Sequence, residues 1–293
     1  MGHHAAPPMA GWESTYPIMR GGYPYISTQC DRLGSNLFRS RLLLKKTLFM
    51  KGEEAAALFY DEARFTRVNA APRRLKKTLF GEGAVQGLDG QAHRQRKALF
   101  LSLMSQPRID ELTQWVEHYW QSHLSRWQPQ TSITLLDEFH QLLCRAACAW
   151  CGIPLHQAEV PDMTKKLVLM VEGGAVSQYR QGLHDIDPSL PLAAFADFQE
   201  PNGKVLPSHT VAVELINVIR PIVAVARYMV FAVMAMHEYP HCLEKLRHAG
   251  AGRYRQHFIQ EVRRYYPFFP FLAARVNTDF TWQGYRFKRG WQA

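Results

Sequence analysis

Residues 214–236 read ELINVIRPIVAVARYMVFAVMAM, the longest apolar run in the chain, and two arginines and a proline interrupt it. Arg220 and Arg227 stand one heptad apart, which on a helix places them on nearly the same face. Pro221 removes a backbone hydrogen bond directly after the first arginine and predicts a kink there. A charge inside an apolar helix is costly unless something answers it. Three readings compete. The run is about long enough for a membrane span, but two arginines and a proline argue against one. A plain core helix requires a buried carboxylate for Arg220. A site helix presents the guanidinium fork to an anionic ligand, with the kink opening room beside it. The last reading accounts for both arginine and proline.

Working outward, the chain of 293 residues is 47% hydrophobic and 12% aromatic, enough for a sizeable core and against disorder. The net charge of +10 raises nucleic acid or a membrane surface as partners. The basic residues are scattered in short groups such as Arg73-Arg74 and Lys76-Lys77, which favours a solvated basic surface. The five cysteines, Cys30, Cys144, Cys148, Cys151 and Cys242, are odd in number and do not form a secreted disulfide framework. The three in LLCRAACAWC share a helical face without a further ligand at metal spacing, so they read as small buried hydrophobes. No basic segment followed by an apolar run opens the chain, so a cytoplasmic protein without an integral membrane segment is expected.

Residues 1–22 are rich in Gly, Pro and His and read as irregular. YPYIS, LFRSRLLL and KTLFM, between Tyr23 and Met50, read as two or three strands, followed by a short helix in GEEAAALFYDEARF. After a glycine-broken loop, a helix starts near Gly90 with His93 and Lys97 on one face. With Arg67 upstream these cations could clasp carboxylates, or the helix face could simply be solvated. The loop lacks a Lys-Ser/Thr pair, which argues against a nucleotide site. Amphipathic helices are predicted over 109–127, 135–151 and the segment VPDMTKKLVLMVEGGAV, with residues 177–209 mostly loop. A helix from about Arg253 to Tyr266 carries Glu261 and Arg264 at ion-pair spacing. PFFPFLAARV then reads as an extended wall, and DFTWQGYRFKRG as a hairpin turning at Gln283-Gly284.

The Glu261-to-Arg264 spacing resembles the ExxR motif of cytochrome P450 heme-thiolate enzymes. Three longer stretches, TLFGEGAVQGLDGQAHRQRKALFLSLM, ELINVIRPIVAV and QEVRRYYPFFPFLAARV, resemble the bacterial fatty-acid peroxygenase branch, from about Tyr23 to the last residues. The resemblance implies a mainly α fold with a small β region, an incomplete cytochrome P450 domain over 23–293. It implies heme as cofactor, fatty acid and hydrogen peroxide as partners, and neither a redox partner protein nor nucleic acid. By position, Arg220, with Pro221 beside it, matches the arginine that binds the substrate carboxylate, which then serves as general acid–base. Gln86 matches a position that separates hydroxylating from decarboxylating types, and glutamine resembles the hydroxylating choice. Phe80, Phe268 and Phe271 match walls of the acyl channel; Arg67, His93 and Lys97 match residues near the heme propionates. Glu261 and Arg264 are structural. The family's axial cysteine lies well beyond the ExxR helix, and none of the five cysteines here follows Glu261. The expectation is therefore an inactive chain lacking the heme-ligand region, or a remnant that binds fatty acid or heme without turnover.

Overall fold

The computed structural model describes residues 7–66, 84–88, 90–172, 190–248, 250, 252–266, 268 and 271–293. In chain order the helices are α1 (Thr15–Gly21), α2 (Tyr25–Leu33), α3 (Glu53–Phe59), α4 (Gly90–Leu103), α5 (Gln106–Trp127), α6 (Leu135–Cys151), α7 (Val160–Glu172), α8 (Pro191–Ala196), α9 (Ser208–Ala224), α10 (Ala226–Glu238), α11 (Pro240–Arg247) and α12 (Gly252–Tyr265). The strands are β1 (Leu37–Leu42), β2 (Lys45–Met50), β3 (Phe65–Thr66), β4 (Arg275–Val276), β5 (Phe280–Trp282) and β6 (Tyr285–Phe287). The chain is mainly α with a small β region, as expected. It divides into two compact units, Met1–Arg73 with Pro267–Ala293, and Arg74–Tyr266.

The first unit holds all the strands among the described residues. β1 and β2 form an antiparallel hairpin pairing Leu37 with Met50, and β3 pairs antiparallel with β4. In the β5–β6 hairpin, Gln283 (φ 48°) and Gly284 (φ 78°) are both left-handed, the twist a two-residue turn requires. Leu37, Leu48, Phe65, Val276 and Phe287 form its core, and a second cluster gathers Ile18, Tyr25, Cys30, Phe38 and Phe49. Two expectations are corrected here. Thr15–Gly21 is helical, so the 1–22 segment is not irregular throughout. YPYIS opens a helix rather than a strand: Ile26, Cys30 and Leu33 recur at helical spacing and face the second cluster.

The second unit is a helical layer packed around α6 and α9. Asp137 and Glu138 occupy the first turn of α6, where the helix dipole favours acid. The helix stops at Gly152, whose φ of 79° lets the Ile153 N–H return to the Cys148 carbonyl at 2.9 Å. The left-handed φ is what calls for glycine; a Cβ there would also meet the tip of the Leu190 side chain at 2.6 Å. The α6 face buries Cys144, Ala147, Cys148, Trp150 and Cys151 against Leu215, Val218, Ile219 and Val223 of α9. Within 177–209, residues 177–189 lie outside the described residues, and 191–196 form α8, whose Phe195 is fully buried. Among the described residues of that segment α8 is the exception to the expected loop, because an apolar turn started by Pro191 packs into the core.

The long apolar run is split. α9 continues one turn past Pro221 and ends at Ala224; α10 begins at Ala226. The break falls at exposed Val225, whose N–H reaches the Ile222 carbonyl at 3.1 Å, three residues back. Pro221 itself lies within α9, so the break falls four residues beyond the place where the sequence predicts the kink. Ser208–Glu238 is long and apolar enough to cross a membrane by length and composition alone, yet Arg220 and Glu214 are buried within it.

A buried arginine–carboxylate network as candidate active site

α9 carries three polar residues at i, i+3 and i+6: Glu214, Asn217 and Arg220. They stand on one side of the helix as successive rungs and are 0%, 6% and 7% exposed. Glu214 accepts from Arg96 NH1 of α4 at 3.1 Å and from the Val85 N–H at 2.8 Å, both at Oε1. Its Oε2 accepts from Asn217 Nδ2 at 3.1 Å. Asn217 Oδ1 in turn accepts from Arg220 NH2 at 3.0 Å. The other side of Arg96 donates to Glu200, beside the short 199–205 turn. Arg96, 2% exposed, thus ties α4, that turn and α9 together.

Arg220 therefore has its predicted burial, and a buried carboxylate does lie near it, reached through Asn217. Burial lowers the pKa of its guanidinium from the usual arginine value, though arginine stays charged in any accessible pH range. Pro221, beside it, is exposed. Gln86 sits in the short 3-10 turn Val85–Gly87, and its Oε1 accepts from Asn217 Nδ2 at 3.5 Å. Arg220 and Gln86, 134 residues apart in the sequence, thus meet at one amide. Arg227 falls beyond the break, half-buried on α10.

On α4, His93 is half-buried and Lys97 exposed, while Arg96 between them turns inward. The reading of this helix as a basic face missed Arg96. Its signal was present: Arg96 shares the stripe of Leu99, Phe100 and Leu103, which pack into the core. Glu214 was missed as well, although an acid within an apolar helix is the same kind of signal as Arg220.

Arg67 and Phe80 lie outside the described residues. Phe268 and Phe271 belong to the first unit, where the Phe268 carbonyl accepts from Tyr23 OH at 2.9 Å. Phe271 joins Ile26, Leu42, Phe49 and Phe59 in lining a largely apolar cavity of about 320 Å³. Glu261 and Arg264 form a two-pronged pair on exposed α12, with Arg264 Nε to Glu261 Oε2 at 2.7 Å. The hydrogen bond from Arg264 lowers the Glu261 pKa, and the arginine is raised in return.

A porphyrin would need cations for its carboxylates and a thiolate for its iron. His93 and Lys97, one turn apart, suit the first need. The cysteines do not suit the second. Cys30, Cys144, Cys148 and Cys151 are at most 1% exposed, and burial pushes the Cys151 thiol up to about 12. Cys242, half-buried on α11, has its sulfur 3.4 Å from His241 Nε2. Among the described residues no three His, Cys, Asp or Glu side chains converge as metal ligands.

No model of a known protein family matches the sequence. Solved structures do. The chain is 35% identical to cytochrome P450EX alpha (CYP152N1), solved with myristic acid, with a TM-score of 0.82 over 98% of this chain and 74% of that one. A point variant of cytochrome P450SP alpha (CYP152B1) is 37% identical, with a TM-score of 0.85 over 96% and 74% of the two chains. A variant of cytochrome P450 OleT in complex with arachidonic acid is 28% identical, with a TM-score of 0.88 over 98% and 74%.

Proposed function

The chain belongs to the CYP152 family of cytochrome P450 enzymes, and from that premise we propose that its site serves hydrogen-peroxide-dependent hydroxylation of fatty acids, with Arg220 holding the substrate carboxylate. The observation that carries this is the buried Arg220 guanidinium, aligned by Asn217 at 3.0 Å and linked through it to Gln86. A buried fork of this kind favours a planar carboxylate, which it can grip with two parallel hydrogen bonds. So held, the carboxylate has a fixed orientation and would be placed to accept and return a proton. Heme, when bound, would supply the oxidising chemistry; His93 and Lys97 are the residues of this unit that would hold its carboxylates.

Replacing Arg220 by Ala tests the assignment. The affinity for dodecanoic acid should fall at least about tenfold, a charge-assisted hydrogen bond being worth roughly 1.5–3 kcal/mol, while that for dodecan-1-ol stays. Equal loss of both ligands would remove Arg220 from carboxylate recognition.

The placement of the cysteines favours a second reading, a fatty-acid- or heme-binding protein without turnover. The absorption spectrum of the hemin-loaded chain, reduced and exposed to carbon monoxide, separates the two. A thiolate-type Soret band supports catalysis, and a histidine-like or free-heme spectrum supports binding alone.

A further inference from the structure

The acid in the apolar run remains to be explained, since nothing in the proposed chemistry uses Glu214. We infer that Glu214 is a positioning residue, setting the orientation of Arg220 and the place of Gln86 at the same time. The inference rests on the reading of Arg220 as the holder of the substrate carboxylate.

The argument is one of donors and acceptors. A carboxylate can only accept, so Glu214 obliges Asn217 to turn its NH2 toward it, at 3.1 Å. The Asn217 oxygen then points the other way and accepts from Arg220 at 3.0 Å. One carboxylate thus decides, through one amide, which atom the guanidinium meets. Glu214 is itself held by Arg96 at 3.1 Å, and its Oε1 also receives the Val85 N–H at 2.8 Å. Val85 immediately precedes Gln86, so the same carboxylate anchors the turn that carries Gln86. Glu214 and Arg96 are 0% and 2% exposed, which makes the arrangement part of the core rather than a surface ion pair. Stability alone does not require it, because an apolar pair of similar volume would serve the core as well. What an apolar pair could not do is dictate the orientation of Asn217.

The test follows from the same atoms. Glu214→Gln keeps the shape but places an NH2 against the NH2 of Asn217, which must flip and turn its own NH2 on Arg220. Asn217→Ala leaves the Glu214–Arg96 pair whole and removes the link to Arg220, together with the hydrogen bond to Gln86. Calorimetric affinities for dodecanoic acid and dodecan-1-ol are the measurement. Both single variants should bind the acid about tenfold or more weakly with the alcohol unchanged.

Undiminished acid affinity in the single variants, or equal loss of acid and alcohol, would overturn the inference. Should Glu214→Gln fail to fold, Asn217→Ala decides it alone. Arg220→Ala, run beside them, separates the two failures. If it binds acid like the wild type, the carboxylate reading falls; if it weakens while Glu214→Gln and Asn217→Ala do not, only the positioning role falls.

Discussion

Two arginine–glutamate pairs in the helical unit make opposite cases. Glu261 and Arg264 on α12 are three residues apart and both solvent-exposed, with side chains 59% and 69% accessible. Arg96 and Glu214 are 118 residues apart and nearly inaccessible. The first is a motif that a reader of the sequence finds at once. The second is invisible as a motif and is the one that organises the site. Visibility follows sequence separation, whereas energetic weight follows burial. A charge in water is answered by water; a buried charge must be answered by a particular side chain.

The largest effect should come from breaking the buried pair. Arg96→Met leaves Glu214 enclosed with only the Val85 N–H and Asn217, and releases Glu200 as well. Removing one partner of a buried pair typically costs about 3–5 kcal/mol, so urea unfolding should show a large fall in midpoint. A loss below about 1 kcal/mol would mean that water reaches Glu214, and the contrast between the two pairs would collapse.

Between these extremes lies a third constellation, where α5 meets α6. Glu138 accepts from Arg126 and from Trp127 Nε1 at 2.7 Å, and lies 3.2 Å from His123 Nδ1. Burial and the charges of Arg126 and Arg145 push the His123 pKa down, and its contact with Glu138 does not make up the difference. Burial also works to raise the Glu138 pKa, but the hydrogen bonds from Trp127 and Arg126 prevail and hold it low. Both folded values therefore lie below the unfolded ones, so both groups stabilise at neutral pH and lose that contribution on acidification. Loss should begin as pH falls below about 6.5, where unfolded histidine takes up a proton that His123 resists, and steepen below about 4.3 with Glu138. His123→Gln should flatten the upper part of that profile and leave the lower. An unchanged upper part would assign it to another group.

The same contrast explains what could be read from the sequence. The helices α5 and α6 were legible because local apolar stripes repeat along them, and the β5–β6 hairpin because Gln283-Gly284 suits a left-handed turn. α2 was not, because the aromatic residues of YPYIS favour strands and mask the Ile26–Cys30–Leu33 spacing. Arg220 could be singled out, since an apolar run sets off a charge, and Gln86 came from the family resemblance. Their meeting through Asn217 could not be read, because no local pattern encodes a contact across 131 residues.

The smallest effect should come from the most visible pair. Glu261→Gln removes a carboxylate whose pKa is lowered chiefly by the hydrogen bond from Arg264, on a helix face open to water. Exposed i, i+3 pairs are screened by salt and offset by the entropy of holding two long side chains. The urea midpoint should shift little at low ionic strength, and the shift should vanish at about 1 M salt, where the Debye length is about 3 Å. A loss that approached that of Arg96→Met and survived salt would break the contrast from its other side. The motif pair would then be holding α12 against something more specific than solvent, and ease of reading would no longer be separable from weight.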